Sequence, residues 1–404
     1  MQTQRSLLEE RTRARLFAAV GFVVVLYPAA SSVPSPLYPL YQQLFGFSAA
    51  TLTVVFAVYV LGLLGALLVV GGLSDHIGRR PVLVGALALE AVSFVVFLLA
   101  GGVPALLVAR VLQGIATGAA ITTLGATMVD LAPPHAPQRA GMVTGVGTLA
   151  GLAAGAVGAG ALIQLAPAPT RLVWIVLLVL LALSAVVVAV LPETSTRRPG
   201  VWKSLIPRVG VAPRLRGEVL AVTPVLLTSW ALGGLYLSLG ASIASSLLGV
   251  QSRLVGGLVV TLLCGTGAVA SFLLRARPVR SLVAPAAGLL ALGTAVTLVG
   301  IAVTSVVVAG LGTVVAGIGF GAAALACFGV FAEIAGPDER GELFAVAYVI
   351  SYTAFSVPAV IAGVGSGLVG LATAAEIYGG VVVVLGALAA AINLVRARRR
   401  PVPA

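Results

Sequence analysis

The chain is poor in charge: Asp, Glu, Lys and Arg make up only 9% of its 404 residues, against roughly a quarter in a soluble globular domain. Water is therefore excluded as its main solvent. Cysteine is nearly absent. Cys264 and Cys327 both sit inside apolar runs, where a thiol behaves as a small hydrophobe, and no disulfide is expected. The only histidines, His76 and His135, fall in different expected loops, which argues against a metal site. The single lysine, Lys203, lies in a polar middle segment, and no Gly-x-x-x-x-Gly-Lys-Ser/Thr string occurs, so ATP cannot drive the protein through such a loop. No cluster of His, Asp, Glu or Cys outlines an enzyme, and no cofactor site is legible. The 49 glycines have no fixed period, which excludes a collagen-like or low-complexity chain.

What is present is apolar length. The chain is 60% hydrophobic with a mean hydropathy of +1.14. At about 20 apolar residues per crossing, spans are expected at 16-40, 49-71, 82-101, 104-131, 141-165, 171-191, 218-245, 253-274, 281-301, 304-332, 343-368 and 372-395. The fold class is an all-α membrane protein of twelve transmembrane helices. Abundant Gly and Ala let such helices approach closely in lipid. The longest polar stretch divides the chain into a bundle at 1-192, a linker at 193-217 and a bundle at 218-404.

The net charge of +12 would suggest nucleic acid in a soluble protein, but its placement gives another reason. All 24 basic residues except Arg110, Arg171 and Arg253 fall on alternate loops or at the termini. The positive-inside rule then places both termini in the cytoplasm of a cell-membrane protein, and no nucleic-acid partner is expected. Leu16 to Leu26 followed by Pro28-Ala29-Ala30-Ser31 imitates a signal peptide with a cleavage site. Its removal would turn the basic loops outward, so the segment is read as the first span.

The halves repeat. Gly114-Ile115-Ala116-Thr117-Gly118-Ala119-Ala120 recurs as Gly317-Ile318-Gly319-Phe320-Gly321-Ala322-Ala323, an offset of 203 residues, and the same offset carries Asp130 onto Glu333 and Gly46 onto Gly249. Two duplicated bundles around a midplane cavity are a transporter architecture.

Between spans 2 and 3 the chain reads Gly71-Gly72-Leu73-Ser74-Asp75-His76-Ile77-Gly78-Arg79-Arg80-Pro81. Gly78 permits an unusual backbone angle, Asp75 can sit at a helix N-terminus, and the arginines can pair with carboxylates. The string resembles the signature loop of the major facilitator superfamily. Leu106 to Ala120, with Arg110, Gln113 and Gly114, is similar to that family's span-4 motif, in which a buried Arg is linked to proton coupling. Gly151, Gly155 and Gly160 resemble the glycine motif of exporters, with Ala156 and Ala159 departing from it. The nearest resemblance is to twelve-span drug:proton antiporters, which implies two pseudo-symmetric six-helix bundles. It also implies that Asp75 contacts the start of span 11 near Glu342, and that Arg79 pairs with Asp130 in a lock on the outward-open state. The second half departs: its loop is only Arg275-Ala276-Arg277-Pro278-Val279-Arg280, and Thr313 stands where Arg110 would be. Coupling chemistry is expected in the first half.

Glu90 and Arg110 are the charges well inside the membrane, and a central Arg costs ~2.5–3.5 kcal/mol on insertion scales. Their depths, about 15 Å from one face and about 9 Å from the other, differ by about 6 Å in a ~30 Å core, within reach of pairing. They are the proton-coupling candidates. Arg110, Gln113 and Thr117 share one helical face by their i, i+3, i+7 spacing. Tyr27, Ser31, Tyr59, Trp230, Tyr236 and Tyr352 are the further candidates for a substrate cavity. Pro28, Pro34 and Pro36 in span 1 and Pro358 in span 11 suit bending gates. The expected function is a proton-coupled exporter of a small hydrophobic or amphipathic compound, acting as a monomer. The alternative is a nutrient importer or uniporter of the same fold.

Overall fold

A computed structural model of the chain describes residues 2-195, 197-250, 252-336 and 339-399. Among them the regular structure is helical, and twelve helices are long and apolar enough to cross a membrane. These spans are Glu10–Phe45, Ala49–Val70, Arg79–Leu98, Val103–Leu131, Gln138–Leu165 and Leu172–Val190. They continue as Pro213–Ser238, Arg253–Leu274, Val279–Ala302, Val306–Ile334, Arg340–Val369 and Leu371–Arg398. Most lie within a few residues of their expected places; span 7 starts five and ends seven residues earlier than expected, and span 1 is longer at both ends. Its basic start is already helical, and it resumes as a second helix, Pro34–Phe45, after a break at Val33. Proline suits the first turn of that helix because its missing N–H would have had no partner there.

The 203-residue repeat is visible in the backbone. Val103–Leu131 and Val306–Ile334 begin and end at that offset, and Gly46 and Gly249 close the first and seventh spans with φ of 67° and 65°. Only glycine takes this left-handed conformation without strain. Span 7 also breaks, at Leu239, into a short helix, Gly240–Ser246. Ser48 and Ser305 cap spans 2 and 10 by accepting the N–H of Thr51 and Val308. Spans turn apolar side chains such as Leu61, Val84, Leu183, Leu292 and Leu388 outward, as a lipid-facing surface requires.

The two halves meet at the membrane face opposite the basic loops. There Thr261 Oγ1 of span 8 donates to the Ala153 carbonyl of span 5 at 2.9 Å, and the Arg253 N–H donates to Gln164 Oε1 at 2.9 Å. The Ser35 hydroxyl, just past the span-1 break, donates to the Leu237 carbonyl in span 7 at 2.6 Å. Phe56 of span 2 packs on Phe355 of span 11 with centroids 5.0 Å apart. This face is closed.

Candidate functional site

A polar cluster is buried where spans 1, 2, 3 and 4 pack. Arg110, 1% exposed, projects from span 4 over the Tyr59 ring, 4.0 Å from its centroid. Its Nη1 donates to Gln113 Oε1 at 2.7 Å and to the Ser31 carbonyl at 3.3 Å, and Gln113 Nε2 donates to the Ala30 carbonyl at 3.1 Å. The Arg110–Gln113 pair thus grips span 1 at two successive carbonyls beside its break. Glu90 lies next to this cluster, also 1% exposed, facing the Gln113 amide and the Arg110 charge, with neither carboxylate oxygen in good hydrogen-bond geometry. The depth argument expected Glu90 and Arg110 to pair; among the described residues no ion pair joins them. Depth fixes only the axial coordinate, and Gln113, one turn along the same helix, takes the guanidinium instead. Tyr27 and Thr117 complete the cluster with buried hydroxyls lacking partners, while Ser31 donates back to the Pro28 carbonyl at 2.8 Å.

The remaining cavity candidates divide. Trp230 and Tyr352 meet edge to face at 4.9 Å in the second half, and Tyr352 continues an aromatic ladder of Phe344, Tyr348 and Phe355 along span 11. The ladder was missed although its spacing of four, four and three residues marks one helical face. Tyr236 stands apart from both groups. Its hydroxyl meets Thr313 Oγ1 at 2.8 Å inside the second bundle. The span-5 glycines lie where helices nearly touch: added Cβ atoms at Gly151 and Gly155 would strike the Val25 and Ala29 carbonyls of span 1, and Gly160 abuts Gly257 of span 8.

On the basic face, Arg79 Nη1 pairs with Asp75 Oδ1 at 2.5 Å and donates to Ser74 Oγ at 2.6 Å, while its Nε reaches Asp130 Oδ2 at 3.3 Å. The Arg79–Asp130 contact expected by resemblance is present. The Asp75 contact with span 11 is not: the Asp75 side chain is 49% exposed, and among the described residues it makes no hydrogen bond or ion pair to that helix. With the opposite face closed, the contact between the two halves is absent, while the Arg79–Asp130 contact, which lies within one half, is formed. The pattern of the Major Facilitator Superfamily matches residues 20–363. The chain belongs to the major facilitator superfamily.

Within this family, 108 residues are 30% identical to "Multidrug resistance protein MdtL" of Klebsiella pneumoniae, covering 27% of this chain and 28% of that one. A stretch of 93 residues is 33% identical to the "3-(3-hydroxy-phenyl)propionate transporter" of Escherichia coli, covering 23% of each. The matches thus span about a quarter of these curated relatives' length. A bacterial homolog of the human lysosomal transporter Spinster, in an inward-facing and unoccupied conformation, superposes with a TM-score of 0.71 at 16% identity over 97% of this chain and 99% of that one. The chain is thus a multi-pass membrane protein of a transporter family.

The facilitator's basic face holds two features that sequence reasoning missed. In the second half Arg280 bridges Glu333, at 3.1 Å, and Glu218, at 3.0 Å. The counterpart loop therefore does carry a charge cluster, legible in the offset that pairs Asp130 with Glu333. The other feature is Glu193, just after span 6. It accepts the N–H groups of Arg79 at 2.8 Å, Arg80 at 3.2 Å and Ser195 at 3.0 Å. Its carboxylate occupies the space a Cβ at Gly78 would need, where φ is 110°. Gly71 ends span 2 nearby, and Arg80 is exposed. Burial pushes the Glu193 carboxyl up, but those three N–H donors and the Arg197 charge outweigh it and hold it below the usual carboxylate range. A carboxyl lowered in the folded state stabilises above its unfolded pKa and loses that contribution as pH falls through the folded one. The strap of the linker onto the 71-81 loop is therefore expected to hold at neutral pH and release in acid. Glu193→Gln should speed tryptic cleavage after Arg197 severalfold at neutral pH; equal rates would refute the strap.

Proposed function

We propose that this facilitator is a proton-coupled exporter of a small hydrophobic or amphipathic compound, working by alternating access with its basic face in the cytoplasm. The observation that carries the reading is Arg110 holding span 1 by the Ser31 carbonyl while the Glu90 carboxylate lies buried beside it without an ion pair. A proton gained or lost at Glu90 changes the charge that opposes Arg110 in a water-poor site, where charge–charge interactions are strong. The changed pull is delivered to span 1 two residues before its break at Val33. Proton occupancy is thereby coupled to the bend of the helix whose far segment touches span 7.

Cargo enters the space between this polar cluster and the Trp230–Tyr352 aromatics. The aromatic side selects apolar surface, and the fixed Arg110 charge favours neutral or anionic compounds over cations. The likeness to a multidrug resistance protein and the span-5 glycines packed on span 1 support export. A second reading, uptake of an aromatic acid as a nutrient, is favoured by the likeness to a hydroxyphenylpropionate transporter. In an efflux-deficient host, export lowers accumulation of the test compound and uptake raises it.

The coupling is tested in proteoliposomes. Glu90→Gln, which keeps shape but cannot ionise, is expected to lose transport driven by a pH gradient while retaining substrate exchange without a gradient. Gradient-driven transport undiminished in Glu90→Gln would remove the mechanism.

A further inference from the structure

The two halves fill the same space differently. At the face opposite the basic loops, the first bundle is packed with rings: Phe97 stacks on Trp174 at 4.0 Å, Phe94 lies 5.8 Å from the same indole, and the indole N–H donates to the Tyr41 hydroxyl at 3.1 Å, with Tyr38 buried nearby. Shifted by the 203-residue repeat, Tyr38, Tyr41, Phe94, Phe97 and Trp174 become Ala241, Ala244, Thr297, Gly300 and Ile377. The helices are retained and the rings are gone.

What remains is a cavity of about 250 Å³ walled by spans 7, 8, 9, 10 and 12, with Ala244 and Thr297 in its lining. No charged side chain lines it. Its polar groups are hydroxyls. Tyr236 meets Thr313 at 2.8 Å and Thr297 at 3.4 Å, whereas the hydroxyl of Thr294, 3% exposed, has no partner. Spans 9 and 12 form part of the wall, so the cavity is inside the second bundle and separate from the Arg110 cluster.

Close packing is the rule in protein interiors, and a buried hydroxyl without a partner is disfavoured, so an occupant that fills the space and bonds Thr294 removes both penalties. An apolar cavity of about 150 Å³ stays dry and binds benzene, which sets the scale here at a fused bicyclic ring. We propose that this cavity is a binding site for a compact, uncharged ring compound carrying one hydroxyl or carbonyl group, the hydroxyl of Thr294 meeting that group.

The test uses the full chain in lipid nanodiscs, with 2-naphthol as probe and empty nanodiscs as the background for partitioning. Equilibrium dialysis is expected to show one saturable 2-naphthol site per chain. Naphthalene should bind about 3- to 10-fold more weakly, the worth of one hydrogen bond, and 2-naphthoate should not compete. Thr294→Val, nearly isosteric, should erase the preference for naphthol over naphthalene. Ala244→Phe, which restores a ring where the first half has Tyr41, should reduce binding of both at least about tenfold by filling the space. Binding that survives both substitutions would place the site elsewhere and overturn the proposal. So would competition by 2-naphthoate, tighter binding of dodecanol, which would mark an acyl-chain groove, or no saturable binding above empty nanodiscs.

Discussion

Arg110→Ala is expected to abolish gradient-driven transport, and Arg110→Met to abolish it equally while lowering the thermal midpoint of the purified protein. Arg110 is desolvated, and its stabilising contacts are the Gln113 and Ser31 oxygens and the Tyr59 face. Hydrogen bonds to a charged group contribute about 1.5–3 kcal/mol each, and removing Arg110 alone leaves the Gln113 and Ser31 oxygens and the Glu90 carboxylate buried without its charge, which is destabilising, unlike replacement of a whole buried ion pair by apolar side chains. A purely structural Arg110 replaced by Met would cost stability but leave transport per folded molecule intact. A coupling Arg110 would not, because Met cannot hold the Ser31 carbonyl or oppose Glu90. Arg110→Lys retains the charge but not the planar fork that meets Gln113 and Ser31 together while lying flat on a ring, and should restore little transport. Transport by the Met variant near the wild-type level would reduce the cluster to packing.

The contrast between what sequence revealed and what it missed has a geometric origin. Span number, span bounds and the repeat are one-dimensional, and apolar length and an offset of 203 residues report them directly. The signature loop is local, and Arg79 and Asp75 are four residues apart, so their pairing needs little more than a helical turn. Which way a side chain points around its helix axis is not one-dimensional. Tyr236 is a candidate for the central cavity as an aromatic of span 7, yet its azimuth carries it to Thr313 inside the second bundle. Glu90 and Arg110 failed to pair for the same reason. Glu193 was invisible in another way. Its partners Arg79 and Arg80 are 114 and 113 residues away, and nothing in a carboxylate after an apolar run says which helix N-terminus it will cap. The Arg280 cluster was within reach, since the repeat already paired Asp130 with Glu333, but the dissimilar loop sequence concealed that its final Arg serves the Arg79 role.

Gly257→Leu is expected to open the closed face without unfolding the protein, whereas Gly114→Leu should unfold it without opening that face. Both glycines lie against a neighbouring helix, where an added Cβ would overlap a carbonyl: Ala156 for Gly257 and Tyr59 for Gly114. Neither obstacle can swing aside, because each is backbone, so the two helices must part. The difference is which helices they are. Gly114 packs span 4 on span 2 within one half, and parting them breaks the bundle that holds Arg110. Gly257 packs span 8 on span 5 across the halves, beside the Thr261–Ala153 bond, and an alternating-access protein can relieve that clash by moving the halves as units. Overpacking of about 1–3 kcal/mol placed wholly on the closed state corresponds to a shift of roughly 5- to 150-fold in the conformational equilibrium. A Ser35→Cys reporter in a background lacking Cys264 and Cys327, treated with an impermeant maleimide from that face, should be labelled much faster in Gly257→Leu at an unchanged thermal midpoint. If labelling stays at the wild-type rate and the midpoint falls as in Gly114→Leu, the span 5–span 8 contact is static packing, and closure of this face is not one position of a moving gate.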